Sequence, residues 1–183
     1  MRGWLPGILI AAGAAVFLIW GSLAKTDSAP KLDQRASPVL ASGIVSSVTD
    51  GDTLRLADNR RIRLVQIDAP ELPSGECYAE QALNALTKLA PVGVEVDLRL
   101  DPALDAKDAH GRNLAYVRFG QKNLNLELVE MGAAAPYFFH GERGQYAKEL
   151  MRAARRAKAA GRGLWGACPG TTLNPNRAVN ARK

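Results

Sequence analysis

Five charged side chains carry the chemical content of this sequence. Asp52 lies in "VTDGDTLRL" (residues 48–56), Arg63 in "RIRLVQI", Asp68 and Glu71 in "QIDAPE", and Arg112 in "AHGRNLAY". Asp-Gly alone is a turn signal, and an isolated DGD reads as a turn entering a strand. The next strand changes that reading. Asp52 opens one arm of a hairpin and Asp68 finishes the other, and antiparallel pairing brings those ends together. Two converging carboxylates repel each other unless a cation sits between them. Oxygen-only ligands select a hard divalent ion, Ca²⁺ or Mg²⁺. A zinc site is excluded, because His110 and His140 are the only histidines and neither has ligand spacing with a cysteine. Glu71, stiffened by Pro70, is placed to take a proton from water. Arg63 and Arg112 could clamp a phosphate by paired hydrogen bonds. Taken singly, Glu71 reads as a loop residue, Arg63 as an outward strand arginine and Arg112 as a turn flank. Together they form a set suited to hydrolysing a phosphodiester.

The elements that must position this set can be read from periodicity. "GIVSSV" is a short β-type run, "TLRLA" alternates, and "RIRLVQI" alternates and then turns apolar. Ala57, Asp58, Asn59 and Arg60 supply the polar turn of a hairpin. In an unbroken strand Arg63 and Asp68 point to opposite faces, so a bulge or a strand end before Asp68 is required. "SGECYAEQALNALTKLA" has helical spacing, with Ala79, Ala82, Leu83, Leu86 and Leu89 on one face, Ser74 as N-cap and Pro91 as stop. "VEVDLRL" and "NLAYVRF" are the fourth and fifth strands, separated by the polar loop "DPALDAKDAHG". Asn123 caps a short helix ending near Met131 and Gly132, "AAAPYFF" is a short extended piece, and residues 142–161 form a basic helix with Arg152, Arg155, Arg156, Lys158 and Arg162 in or just after it. Three strands, a helix, two strands and two helices fit an α+β chain built on a small five-stranded Greek-key barrel of the OB type, or another small α+β sheet.

The chain has 183 residues and a net charge of +6, a balance that favours a polyanionic partner, nucleic acid or anionic lipid. Residues 3–24 carry no charge, which makes residues 1–25 a signal peptide or a membrane anchor. Trp4 and Trp20 near the two ends of the run favour the anchor. Residues 26–42 read as a flexible linker, 43–168 as the folded domain and 169–183 as a disordered tail. Cys77 and Cys168 behind an export-type segment point to one disulfide outside the cytosol, the alternative being two unrelated thiols. Such a bridge would close a loop of about 90 residues, worth on the order of 4 kcal/mol in the chain-entropy model.

In order and spacing, "DGDT", "RIRL", "IDAPE", "AHGRNLAYV", "VEMGAAAPYFF" and the closing "GLW" resemble the staphylococcal nuclease family from about Gly43 to Trp165. The resemblance implies an OB barrel with three helices and Ca²⁺-dependent hydrolysis of DNA and RNA toward 3′-phosphate products. It implies Asp52, Asp68 and the backbone carbonyl of Ala69 as metal ligands, and Glu71 as general base. Arg63 and Arg112 would hold the phosphate, and Tyr137 would position a terminal phosphate or nucleotide. This chain departs from the best-known members at Ala69, where they have Thr, and at His110, where they have a Tyr that contacts a terminal phosphate. The segment after Glu71 is also shorter and carries Cys77. With Cys168, that cysteine is similar to exported bacterial relatives. The expectation is therefore a monomeric enzyme on the periplasmic or extracellular side of a bacterial cell envelope, anchored or secreted. Two other readings fit less of the pattern: a copy of the fold that binds nucleic acid or protein without catalysis, and a surface protein whose basic helix touches anionic lipid. The first is disfavoured because all five charged residues are kept.

Overall fold

Leu54 and Leu56 alternate with the exposed Arg55, and Ile62 and Leu64 alternate with Arg61 and Arg63. That period of two gives each strand one apolar face. In the computed structural model, which describes residues 39–181 together with Met1 and Gly3, these faces close into a barrel. β1 (Val39–Val48) pairs antiparallel with β2 (Thr53–Leu56) and with β5 (Glu95–Arg99). β2 pairs with β3 (Arg61–Leu64), and β5 pairs with β6 (Asn113–Phe119). A parallel contact of β3 with β6, through Ile62↔Asn113 and Leu64↔Ala115, completes the ring. A register shift between Val45 and Ser47 lets β1 bend from one partner to the other. The five strands enclose Val45, Leu54, Leu56, Ile62, Leu64, Val96, Leu98, Ala115 and Val117, all fully buried. The α+β barrel read from the sequence is therefore the observed fold.

The helices cover the barrel as their apolar spacing requires. α1 (Ala79–Leu89) buries Ala79, Ala82, Ala85 and Leu86. Ser74 is not its N-cap. The helix begins after Tyr78, which is left-handed, and the Ser74 hydroxyl donates to the Glu71 carbonyl. After the two-residue β7 (Lys122–Asn123), α2 (Leu124–Met131) is capped by the Asn123 side chain, as its sequence predicts. α3 (Ala147–Ala159) buries Ala147, Leu150, Ala153, Ala154 and Ala157 and exposes Arg152, Arg155, Arg156 and Lys158. It starts five residues later than the basic run predicts. A single turn, α4 (Leu164–Ala167), follows it, and a 3₁₀ turn at Phe139–Gly141 precedes it.

Two boundaries differ from the sequence reading. β1 starts at Val39, inside the span read as linker, because its backbone pairs with β5 from Val39↔Arg99 onward. Residues 39–42, Val-Leu-Ala-Ser, follow a Pro- and Ser-containing run and do not alternate, so the ladder is not visible as a period of two. The segment after Cys168, read as a disordered tail, is packed through Ala181. Phe138 N–H donates to the Pro175 carbonyl, Cys77 N–H donates to the Ala181 carbonyl, and Thr171, Val179 and Ala181 are buried. Backbone hydrogen bonds hold this segment, and composition does not reveal them. The Cys77–Cys168 disulfide is formed across 91 residues of chain. The apolar run at residues 1–25 lies outside the described residues apart from Met1 and Gly3. Among the described residues no helix is long and apolar enough to cross a membrane.

Candidate functional site

The site is built where β2, β3 and β4 (Ile67–Asp68) meet. In the turn before β2, the Asp50 carboxylate accepts from Asp52 N–H at 3.0 Å. Gly51 is required there by close approach. A Cβ at that position would stand 2.6 Å from the Cβ atoms of both Ala69 and Ala82. The glycine thus lets α1 and the 68–70 turn press against the loop that carries Asp52. Asp52 is buried, and each of its oxygens has a donor. Oδ1 accepts from the Thr53 hydroxyl at 2.9 Å, while Oδ2 accepts from Ala69 N–H at 3.0 Å and lies 2.8 Å from Arg63 Nη1.

Arg63 and Asp68 reach the same point because the strand breaks between them. β3 ends at Leu64, and Gln66 takes a left-handed conformation at φ 65°. A non-glycine residue there is uncommon, and neighbouring elements hold it. The Gln66 side chain donates to the Glu142 carbonyl and accepts from Gly144 N–H. Buried Asn125 of α2 donates to the Val65 carbonyl and accepts from Val117 N–H. The break turns Asp68 onto the Arg63 side. Arg63 Nη2 lies 2.6 Å from Asp68 Oδ1, and Nη1 also donates to the Ile67 carbonyl. Asp68 Oδ2 accepts from Val179 N–H at 2.7 Å. One guanidinium therefore joins the two carboxylates that the sequence pairs.

The other half of the site is open. Glu71 is exposed, and its N–H donates to Glu76 Oε2. Arg112 sits at the end of the polar loop before β6. There Asp108 accepts from Arg112 N–H and from Arg112 Nε, the latter at 2.6 Å, and also from His110 N–H. Arg61 donates to the His110 carbonyl and ties the loop to β3. Asp101, at the start of the loop, accepts from the Tyr116 hydroxyl and from Gln145 N–H. Arg63, His110, Arg112, Tyr137 and Phe139 line a cavity of about 410 Å³. Arg61, Glu71, His110 and Arg112 line an adjoining one of about 510 Å³. Of the five charged side chains that open the sequence analysis, Arg63, Glu71 and Arg112 thus line these two cavities, which share His110 and Arg112, while Asp52 and Asp68 line neither and are linked to the first through Arg63. Tyr137 is half-buried, with its ring 6.3 Å from that of exposed Phe139. Cys77 and Cys168 stand apart from this region as a structural pair.

The electrostatics are those of an acidic pocket short of positive charge. Burial pushes the Asp52 carboxyl up against the opposing pull of Arg63, with Asp50 and Asp68 adding to the rise. Asp68 is raised by burial in the same way. Partial desolvation against the loop raises Glu71 as well, followed by repulsion from Asp50 and Asp68. Clustered shifts of this kind are characteristic of working sites. Among the described residues no three acidic, histidine or cysteine side chains form a ready-made metal cluster. The donor set nonetheless fits a hard cation: buried carboxylate oxygens and neighbouring acids, with the Arg63 guanidinium against them. Asp50, Glu76, Arg61 and Asp108 were not singled out by sequence reasoning. Asp50 had a visible signal as the first acid of DGD, whereas Asp108 and Arg61 gain their roles only through contacts.

The family model described as staphylococcal nuclease homologue matches residues 61–167. An uncharacterized endonuclease of Haemophilus influenzae is 32% identical over 127 residues, covering 66% of this chain and 64% of that protein. A thermonuclease of Staphylococcus intermedius is 31% identical over 146 residues, covering 76% of this chain and 84% of that protein. Endonuclease YhcR of Bacillus subtilis is 29% identical over 153 residues, covering 73% of this chain but 12% of that protein. The chain therefore spans less than two thirds of the length of two of these relatives. With the closed barrel, its helices and the matched span in agreement, this chain belongs to the staphylococcal nuclease homologue family.

Proposed function

We propose that this chain is a Ca²⁺-dependent nuclease that hydrolyses phosphodiester bonds of DNA, RNA or both. The observation that carries the reading is the single guanidinium of Arg63 held against two buried carboxylates, Asp52 and Asp68, at the edge of a cavity that Arg112 also lines. Asp52, Asp68 and the Ala69 carbonyl would hold the ion, with Mg²⁺ as a second candidate. When bound, it would supply charge neutralisation on the phosphoryl oxygens. The protein's own groups do the rest. Arg63 and Arg112, which line the same cavity, would hold the phosphate and stabilise the charge that develops on its oxygens, an effect largest where water is excluded. Glu71, raised by partial desolvation and its acidic neighbours, takes a proton from the attacking water at a carboxylate oxygen. Asp108 holds Arg112 in place by its Nε. Tyr137 and His110, on the cavity wall, would position a terminal phosphate or the nucleotide beside it.

The disulfide and the apolar stretch at residues 1–25 support a location on the outer side of a bacterial membrane, anchored or released. The test of activity is incubation of the purified chain with labelled single-stranded DNA, duplex DNA or RNA, in Ca²⁺, Mg²⁺ or excess chelator. Cleavage restored by Ca²⁺ and stopped by chelator is the expected result. Undiminished cleavage in chelator would remove the cation from the account, and no cleavage of any substrate would leave a binding module.

A further inference from the structure

The segment beyond the family match forms a strap that ends on the candidate cation site. The match stops at residue 167. The strap starts at the Cys77–Cys168 disulfide and is fixed by the Phe138–Pro175 and Cys77–Ala181 backbone hydrogen bonds. Between the last two attachments, the Val179 N–H donates to Asp68 Oδ2 at 2.7 Å, with both residues buried. The other oxygen of Asp68, Oδ1, faces Arg63 at 2.6 Å. The two ends of this carboxylate thus have separate tasks. The terminal torsion of an aspartate is soft. A charge-assisted hydrogen bond from an anchored backbone amide removes that freedom. Donors behind a ligating carboxylate orient it and tune its affinity.

We propose that the Val179 backbone amide is a positioning group for the cation site, holding Asp68 by Oδ2 so that its other oxygen, on the Arg63 side, is fixed in place for the ion that Asp52 and Asp68 would hold. This rests on the cation reading of Asp52 and Asp68 given above. The Val179 side chain has a different task, packing with Ala135, Leu164, Cys168 and Ala181. The two tasks can therefore be separated. Val179→Pro deletes the N–H and keeps an aliphatic side chain, whereas Val179→Ala trims the side chain and keeps the N–H.

The experiment is a calorimetric titration with Ca²⁺ alone on the full chain, on Val179→Pro, on Val179→Ala and on a chain ending at Asn176. Melting curves recorded without ion check that each is folded. The expected result is a loss of about 10-fold or more in Ca²⁺ affinity for Val179→Pro and for the shortened chain, with Val179→Ala close to the unaltered chain. A second measurement needs no variant: hydrogen exchange of the Val179 amide in the unaltered chain should stay slow when Ca²⁺ is added. Equal or tighter binding by Val179→Pro, or release of that amide on adding Ca²⁺, would overturn the positioning role and leave the cation reading standing. An unaltered chain that binds no Ca²⁺ would overturn both.

Discussion

The two arginines of the site sit in opposite settings. Arg63 is largely covered and faces two buried carboxylates at 2.8 and 2.6 Å, on a strand whose neighbours close the barrel. Arg112 stands at the mouth of a polar loop, paired with Asp108, and lines both cavities. The first is part of the fold as much as of the site, because removing it leaves two buried acids facing each other. The second is held by one carboxylate, that of Asp108, and is free of the acidic pair. One half thus concentrates buried negative charge around Arg63, and the other is open to solvent around Glu71 and Arg112.

Arg63→Leu should break this contrast most severely. Removing one partner from a buried ion pair costs about 3–5 kcal/mol, so the denaturant midpoint should fall sharply and cleavage should vanish with it. A near-normal midpoint would mean that the acids do not depend on Arg63. Reducing the Cys77–Cys168 bridge acts on the frame around both halves. The expected loss is about 2–4 kcal/mol, read as a lower melting temperature in reductant, and an unchanged melting curve would make the bridge dispensable. Arg112→Ala should separate the halves: turnover falls by about 100-fold or more, while unfolding shifts by about 1 kcal/mol or less. An equal loss of stability from Arg112→Ala and Arg63→Leu would erase the distinction drawn here.

The smallest effect is expected from pH. Burial would raise the Asp108 carboxyl, but the hydrogen bonds from Arg112 N–H and its guanidinium outweigh burial and hold it below the usual carboxylate range. A carboxyl lowered on folding contributes stability above its unfolded value and loses that contribution as pH falls through its folded value. Asp108→Asn should therefore be slightly less stable than the unaltered chain at neutral pH, by about 1 kcal/mol or less. The gap should close in acid. A gap that widens in acid would contradict the Asp108–Arg112 pairing.

The two halves were also unequally legible in the sequence. The strands, the Asn123 cap and the convergence of Asp52 with Asp68 follow from alternation and hairpin geometry, which are local signals. The need for a break between Arg63 and Asp68 was legible, but its place was not. Gln66 is left-handed because Asn125, Glu142 and Gly144 hold its surroundings, and those contacts come from distant parts of the chain. The same holds for Asp108, which reads as one more acid in a polar loop until Arg112 and His110 fold onto it. The segment through Ala181 has no periodicity at all, since backbone groups and a few small apolar side chains hold it. Gly51 shows the limit in one residue. Its neighbours mark a turn, but its reason is the approach of Ala69 and Ala82.

On the proposed reading the acidic pair holds the cation and Glu71 performs the proton transfer. That reading is tested most directly by the cleavage rate of labelled single-stranded DNA across a Ca²⁺ titration, for the unaltered chain and for Glu71→Gln. The same Ca²⁺ midpoint is expected for both, with the Glu71→Gln plateau lower by about 100-fold or more. An unchanged plateau, or cleavage that ignores Ca²⁺, would contradict it.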